Sequence, residues 1–150
     1  MAKLYVSITV DWEGEHLRDL EDLRTTRDAI QQSLGAAVPF THFICPTYWL
    51  SPDQPVDPAR AIRSILEMPG NGGISDYASA DSMTKTFDGL LTMARASEVS
   101  LFFNIGCHQE GAGRWKKPLI DFFHGRRREL SSDDVVITTV AKAAQRAARG

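Results

Sequence analysis

The stretch LYVSITVDWEGEHL, residues 4–17, decides how the chain is read. Its first seven residues are apolar and β-branched in the main and predict a short strand over 4–10. The strand then runs straight into Asp11, Glu13, Glu15 and His16. Such an ending is either the solvated end of a strand, with acids that cap the next helix, or one wall of an active site. In extended backbone Asp11 and Glu13 point to one side and Trp12 to the other. Two carboxylates placed together suit a divalent cation, or one holds it while the other moves a proton. Gly14 allows the tight turn that a loop around a ligand requires.

Outward from this stretch, strands and helices alternate. Leu17, Leu20, Leu23, Ile30 and Leu34 share a helical face, Thr25 and Thr26 are placed to start a separate second segment, and Gly35 ends the helix. VPFTHFIC (38–45) predicts a second strand, stopped by Pro46. A loop with Tyr48 and Trp49 follows, then a helix after Asp57 and Pro58. MPGNGG (68–73) breaks the pattern. A helix over 82–97 has Met83, Phe87, Leu90, Leu91 and Ala94 as its apolar face. VSLFFNIG (99–106) predicts a third strand, apolar enough to be covered on both faces. A helix over 116–130, a short strand at DVVITT (134–139) and an Ala-rich helix complete the pattern. Alternation of this kind predicts an α/β fold, a mostly parallel sheet with flanking helices. In such folds working residues gather where strands end. Asp11, Glu13 and His16 follow the first strand, Cys45, Tyr48 and Trp49 the second, and Asn104, Cys107, His108, Gln109 and Glu110 the third.

Length and composition set the frame. One domain over residues 1–150 is expected, large enough to bury roughly 70% of its unfolded surface. Hydrophobic residues make up 43% and charged residues 24%, as in ordinary globular proteins. A net charge of −2 and a pI near 6.1 argue against nucleic acid or an acidic membrane as a general partner. The N-terminal apolar run meets Asp11 too soon for a secretory signal, and no apolar stretch is long enough to span a membrane, so a cytoplasmic location is expected. Cys45 and Cys107 are too few for a disulfide framework and read as buried free thiols.

The histidines divide by position. His108 stands after a hydrophobic strand and before a glycine-rich turn, where an imidazole can exchange a proton near pH 7 or bind a metal. Arg114 and Trp115 just beyond it are placed to line a pocket for a polar, ring-shaped ligand. His42 reads as a satisfied strand histidine, His124 as a surface residue at a helix C-terminus, and Arg126–Arg128 as a solvated face. Cys107 and His108 as nucleophile and base are disfavoured, because neighbours on an extended strand point opposite ways.

ITVDWEG (8–14), THFIC (41–45), NIGCHQEGAGRW (104–115) and the closing DVVITTVAKAAQRAA together resemble the polysaccharide deacetylase, or NodB-homology, family. The resemblance covers most of residues 4–50 and 83–149. It implies a partial or distorted (β/α) barrel and a metal-dependent hydrolase that removes acetyl groups from N-acetylated sugars or a related small amide. It implies Asp11 as general base, His108 as the acid that protonates the leaving amine, and Glu13 as a ligand to a divalent metal, zinc by expectation. Trp12, Tyr48, Trp49, Arg114 and Trp115 would contact the carbohydrate. The family's His-x-x-x-His metal pair has no counterpart here, and EMPGNGGISDYAS (67–79) stands where its central strands belong, as though a segment near 68–76 were missing. The alternative is a catalytically degenerate domain that serves as a binding or assembly module. Exposed strand edges would then favour a homo-oligomer.

Overall fold

The computed structural model describes residues 2–12, 20–44 and 78–147. Four strands and five α-helices lie in this part: β1 (Leu4–Trp12), α1 (Leu20–Leu34), β2 (Phe40–Ile44), α2 (Ala80–Ala96), β3 (Leu101–His108), α3 (Ala112–Gly125), α4 (Arg127–Leu130), β4 (Val135–Ile137) and α5 (Val140–Ala147). A single 3₁₀ turn, Gln109–Gly111, joins β3 to α3. The helix expected after Pro58 and the break at 68–76 fall outside the described residues.

β1 is the centre of the sheet. β3 pairs with it in parallel along nearly its whole length, from Leu4↔Leu101 to Asp11↔His108. Two strands share its other edge. β4 takes the first half, Leu4↔Val135 to Val6↔Ile137, and β2 the second, Ile8↔Phe40 to Trp12↔Ile44. Every pairing is parallel, as the alternation predicts. Among the described residues no pairing joins β3 to β2 or β4, so the sheet is open there rather than a closed barrel.

The two faces of the sheet differ in chemistry. Leu4, Val6, Ile8 and Val10 alternate onto one face and are all fully buried. Phe103, Ile105 and Cys107 of β3 align with them. Phe103 and Phe122 of α3 meet Phe87 of α2 edge-on, with ring centroids 5.8 and 5.6 Å from it, and Phe123 abuts Phe122 at 5.2 Å. Each such ring contributes on the order of 1.5–3 kcal/mol by burial, and edge-to-face contact adds to that. α1 joins the same layer through Leu23, Thr26 and Ile30. It is tied to α3 by Lys116, whose Nζ donates to Asp22 Oδ1 at 2.7 Å and Thr25 Oγ1 at 2.9 Å.

The other face carries Tyr5, Ser7, Thr9 and Asp11. Tyr5 stacks on Phe102 at 5.4 Å, and Arg146 of α5 lies over the tyrosine ring. Ser7 Oγ donates to Asn104 Oδ1 at 2.9 Å, and both residues are buried. Gly106 stands opposite Thr9; a Cβ there would meet Thr9 Oγ1 at 3.6 Å.

Several boundaries depart from the sequence expectation. α1 is one helix through Thr25 and Thr26, because both hydroxyls donate back to the Asp22 carbonyl instead of capping a new segment. It ends as expected at Gly35, whose φ of 67° only glycine adopts without strain. α2 is capped by Ser79, which accepts the Ser82 N–H at 3.1 Å. β3 runs on through Cys107 and His108, because Val10 and Asp11 continue to offer a ladder. α3 starts at Ala112, ahead of the expected Lys116, and accommodates Pro118 inside it. Arg126 is not part of a purely solvated face: its guanidinium grips Asp88 of α2 with Nε and Nη2, at 2.8 and 2.6 Å.

Candidate functional site

The C-terminal ends of parallel strands lie at one edge of a sheet. β1, β2 and β3 therefore deliver Asp11, Phe43 and His108 to one row, since Asp11 pairs with Phe43 on one side and His108 on the other. Register partners in a parallel sheet share a face, and neighbouring strands lie roughly 4.8 Å apart. Asp11 and His108 are both partly accessible. Phe43 is 50% exposed, one of the few large apolar side chains left open to solvent among the described residues. Carboxylate, imidazole and open aromatic ring thus stand side by side.

Below this row the polar face is closed. Thr9, Ser7 and Asn104 are all buried, and Asn104 Nδ2 also reaches Thr9 Oγ1 at 3.5 Å. A buried, bonded ladder of this kind fixes the spacing of β1 against β3, and so of Asp11 against His108. His108 is held from behind as well. Its backbone is extended, and its carbonyl accepts the Trp115 indole N–H at 2.8 Å. Gln109, fully buried, follows it directly.

The residues expected to act are placed as follows. Asp11 and His108 are brought together. Trp115, expected to line a ligand pocket, is fully buried in the core, and its indole N–H supports the His108 backbone. Arg114 is exposed in the first turn of α3. Trp12 closes the β1–β2 ladder opposite Ile44. Glu13, His16, Cys45, Tyr48 and Trp49 lie outside the described residues. Cys107 points to the apolar face, is a buried free thiol, and donates to the Thr9 carbonyl at 3.0 Å. It therefore stands on the opposite side of the sheet from His108, and the two do not form a nucleophile–base pair. His42 occupies the strand as expected, with its pKa held below the ordinary histidine value by partial burial and, second, by the Arg27 charge. His124 is exposed in the last turn of α3.

Phe43 was not among the expected site residues. Its signal lay in register rather than in type: aligning FTHFI with ITVDW puts the second phenylalanine beside Asp11.

Among the described residues no group of three or more His, Cys, Asp or Glu converges as a metal site would require. Asp11 and His108 offer two donors, and catalytic zinc takes three from the protein. The described residues alone do not fit a catalytic zinc. No described helix is long and apolar enough to cross a membrane. Comparison with protein-family models, with curated proteins and with solved structures finds no match.

Proposed function

We propose that this chain is a hydrolase of the polysaccharide-deacetylase type, removing an acetyl group from an N-acetylated sugar or related small amide with Asp11 and His108 as its proton-transfer pair. The observation that carries the reading is their register: a carboxylate and an imidazole abreast on the same face, at the edge where parallel strands end. The chemistry follows from the two groups. Asp11 takes a proton from water as its oxygen attacks the acetyl carbon. The carbon–nitrogen bond breaks, and His108 gives the leaving nitrogen its proton. Acetate and a free amine result, and the proton on Asp11 passes to His108, directly or by exchange through solvent, to reset the pair. A divalent metal, as the resemblance implies, would polarise the acetyl carbonyl and lower the pKa of the attacking water.

The test is acetate release from N-acetylglucosamine oligomers by the full chain, assayed with and without added zinc or cobalt. Asp11→Asn is expected to lower kcat by roughly 10²–10⁴-fold, the range a positioned acid or base supplies. Equal rates in Asp11→Asn and the unmodified chain would refute the assignment. No acetate release under any metal condition would leave the non-catalytic binding or assembly module in its place.

A further inference from the structure

A second site lies where two strands meet end to end. Ile137 of β4 pairs with Val6 and Phe40 of β2 pairs with Ile8, so a single β1 residue, Ser7, separates the two ladders. The chain leaving β4 and the chain entering β2 must both turn away there. A cleft of about 520 Å³ opens between them, bounded by α1 and α5.

Its lining has a clear division. Arg27 of α1, Lys142 of α5 and His42 of β2 bring cationic or titratable nitrogen from three separate elements. Val38, Phe40 and Ile137 supply an apolar wall. No Asp or Glu is among the described residues that line it. Arg27 does pair with Asp28 at 3.0 Å, but that carboxylate is shared with Arg24 and does not line the cleft. Arg27 and His42 line the same cleft, and the guanidinium charge adds to the burial that lowers the imidazole's pKa.

The walls are also pinned. Gln31 Oε1 accepts the Val38 N–H at 3.2 Å, which fixes the approach to β2. Thr41 Oγ1 accepts the Val140 N–H at 3.2 Å, which fixes the start of α5 against β2. Thr139 Oγ1 accepts the Lys142 N–H at 3.3 Å. The two fixed cations are thus carried on restrained backbone rather than on free loops, which lowers the ordering cost of binding.

Positive charge beside an apolar wall suits an anion carried on an apolar body. Guanidinium takes phosphate in a fork of parallel hydrogen bonds, and an ammonium adds a point charge. The volume is within the range of small-molecule sites. We propose that this cleft binds a small organic phosphate ester, with the phosphate between Arg27 and Lys142 and the apolar body against Val38, Phe40 and Ile137. The site is independent of the proposed hydrolysis. His42 pairs with Val10 and so faces away from Asp11 and His108.

The test is an NMR titration of the full chain with phenyl phosphate, followed at the His42 imidazole, and a parallel titration with inorganic phosphate. A His42→Gln variant assigns the resonance. Saturable movement of the His42 signal by phenyl phosphate is expected, with inorganic phosphate several-fold weaker. Arg27→Gln and Lys142→Gln, at solvent-exposed helical positions, should each weaken binding roughly five- to tenfold. Circular dichroism of each variant establishes that it is folded. Absence of saturation, or affinity unchanged in both folded variants, would overturn the proposal. Equal affinity for the two phosphates would overturn its organic-ester part.

Discussion

Removing the Ser7 hydroxyl tests the polar ladder beneath the candidate site. Ser7 is 3% exposed and Asn104 8%, and the 2.9 Å bond between them lies in a sheet face with little access to water. Ser7→Ala removes a small hydroxyl and creates almost no cavity. Its main effect is to take a donor from the buried Asn104 oxygen. Leaving a buried acceptor short of a donor costs about 1–3 kcal/mol, more than the net value of the bond itself. For a chain of 150 residues each kcal/mol shifts the thermal midpoint by roughly 2–4 °C, so a drop of about 2–12 °C is expected. Thermal unfolding by circular dichroism reads it, and urea midpoints provide a second measure. Asn104→Leu alone should also destabilise. The double variant should cost clearly less than the sum of the two, because neither Ser7 nor Asn104 then remains to be left short of the other. Strict additivity, or a Ser7→Ala protein as stable as the unmodified chain, would refute a shared buried ladder and with it the assignment of Ser7 and Asp11 to one face.

Two further predictions concern the core and pH. Phe122→Ala empties the junction between Phe87, Phe103 and Phe123 and should cost about 3–5 kcal/mol, measured as a lowered urea midpoint. His42 is held below its ordinary value of 6.5 in the folded state, by partial burial first and Arg27 second. The unfolded chain therefore binds this proton at higher pH than the folded one, so its contribution to stability is full above about 6.5 and is lost as pH falls from there toward the folded pKa. Urea midpoints collected from pH 7.5 downward should fall less steeply in His42→Gln than in the unmodified chain, and identical slopes would contradict the account.

Much of the fold was legible because it is written locally. LYVSITV and SLFFNI alternate or run apolar over strand lengths, and Met83, Phe87, Leu91 and Ala94 recur at helical spacing. Gly35 stops α1 for the conformational reason that its position suggests. What was not legible depends on partners distant in sequence. Nothing in VVI states that β4 shares an edge of β1 with β2. Gly106 looks like a strand end, yet the ladder continues because β1 extends beside it to Asp11. Thr25 and Thr26 resemble caps, but their hydroxyls satisfy themselves on the preceding turn without breaking the helix. Trp115 reads as a ring-binding residue after a glycine-rich turn. Only the packing of α3 on the sheet shows that its ring is core and its N–H a backbone support. For the candidate site, Asp11 and His108 were marked by position after strands, whereas their adjacency, and that of Phe43, required register.

The most direct measurement is therefore of that adjacency. Replacing Asp11→Cys and His108→Cys together creates a thiol pair on neighbouring strands. Their backbones should lie roughly 4.8 Å apart, inside the span of about 4.4–6.8 Å that a disulfide bridges. Mild oxidation followed by peptide mass spectrometry reads the bond and separates it from any involving Cys45 or Cys107. The account predicts a dominant link between positions 11 and 108. Oxidised protein in which 11 pairs elsewhere, or in which both thiols stay free, would contradict the register on which the candidate site rests.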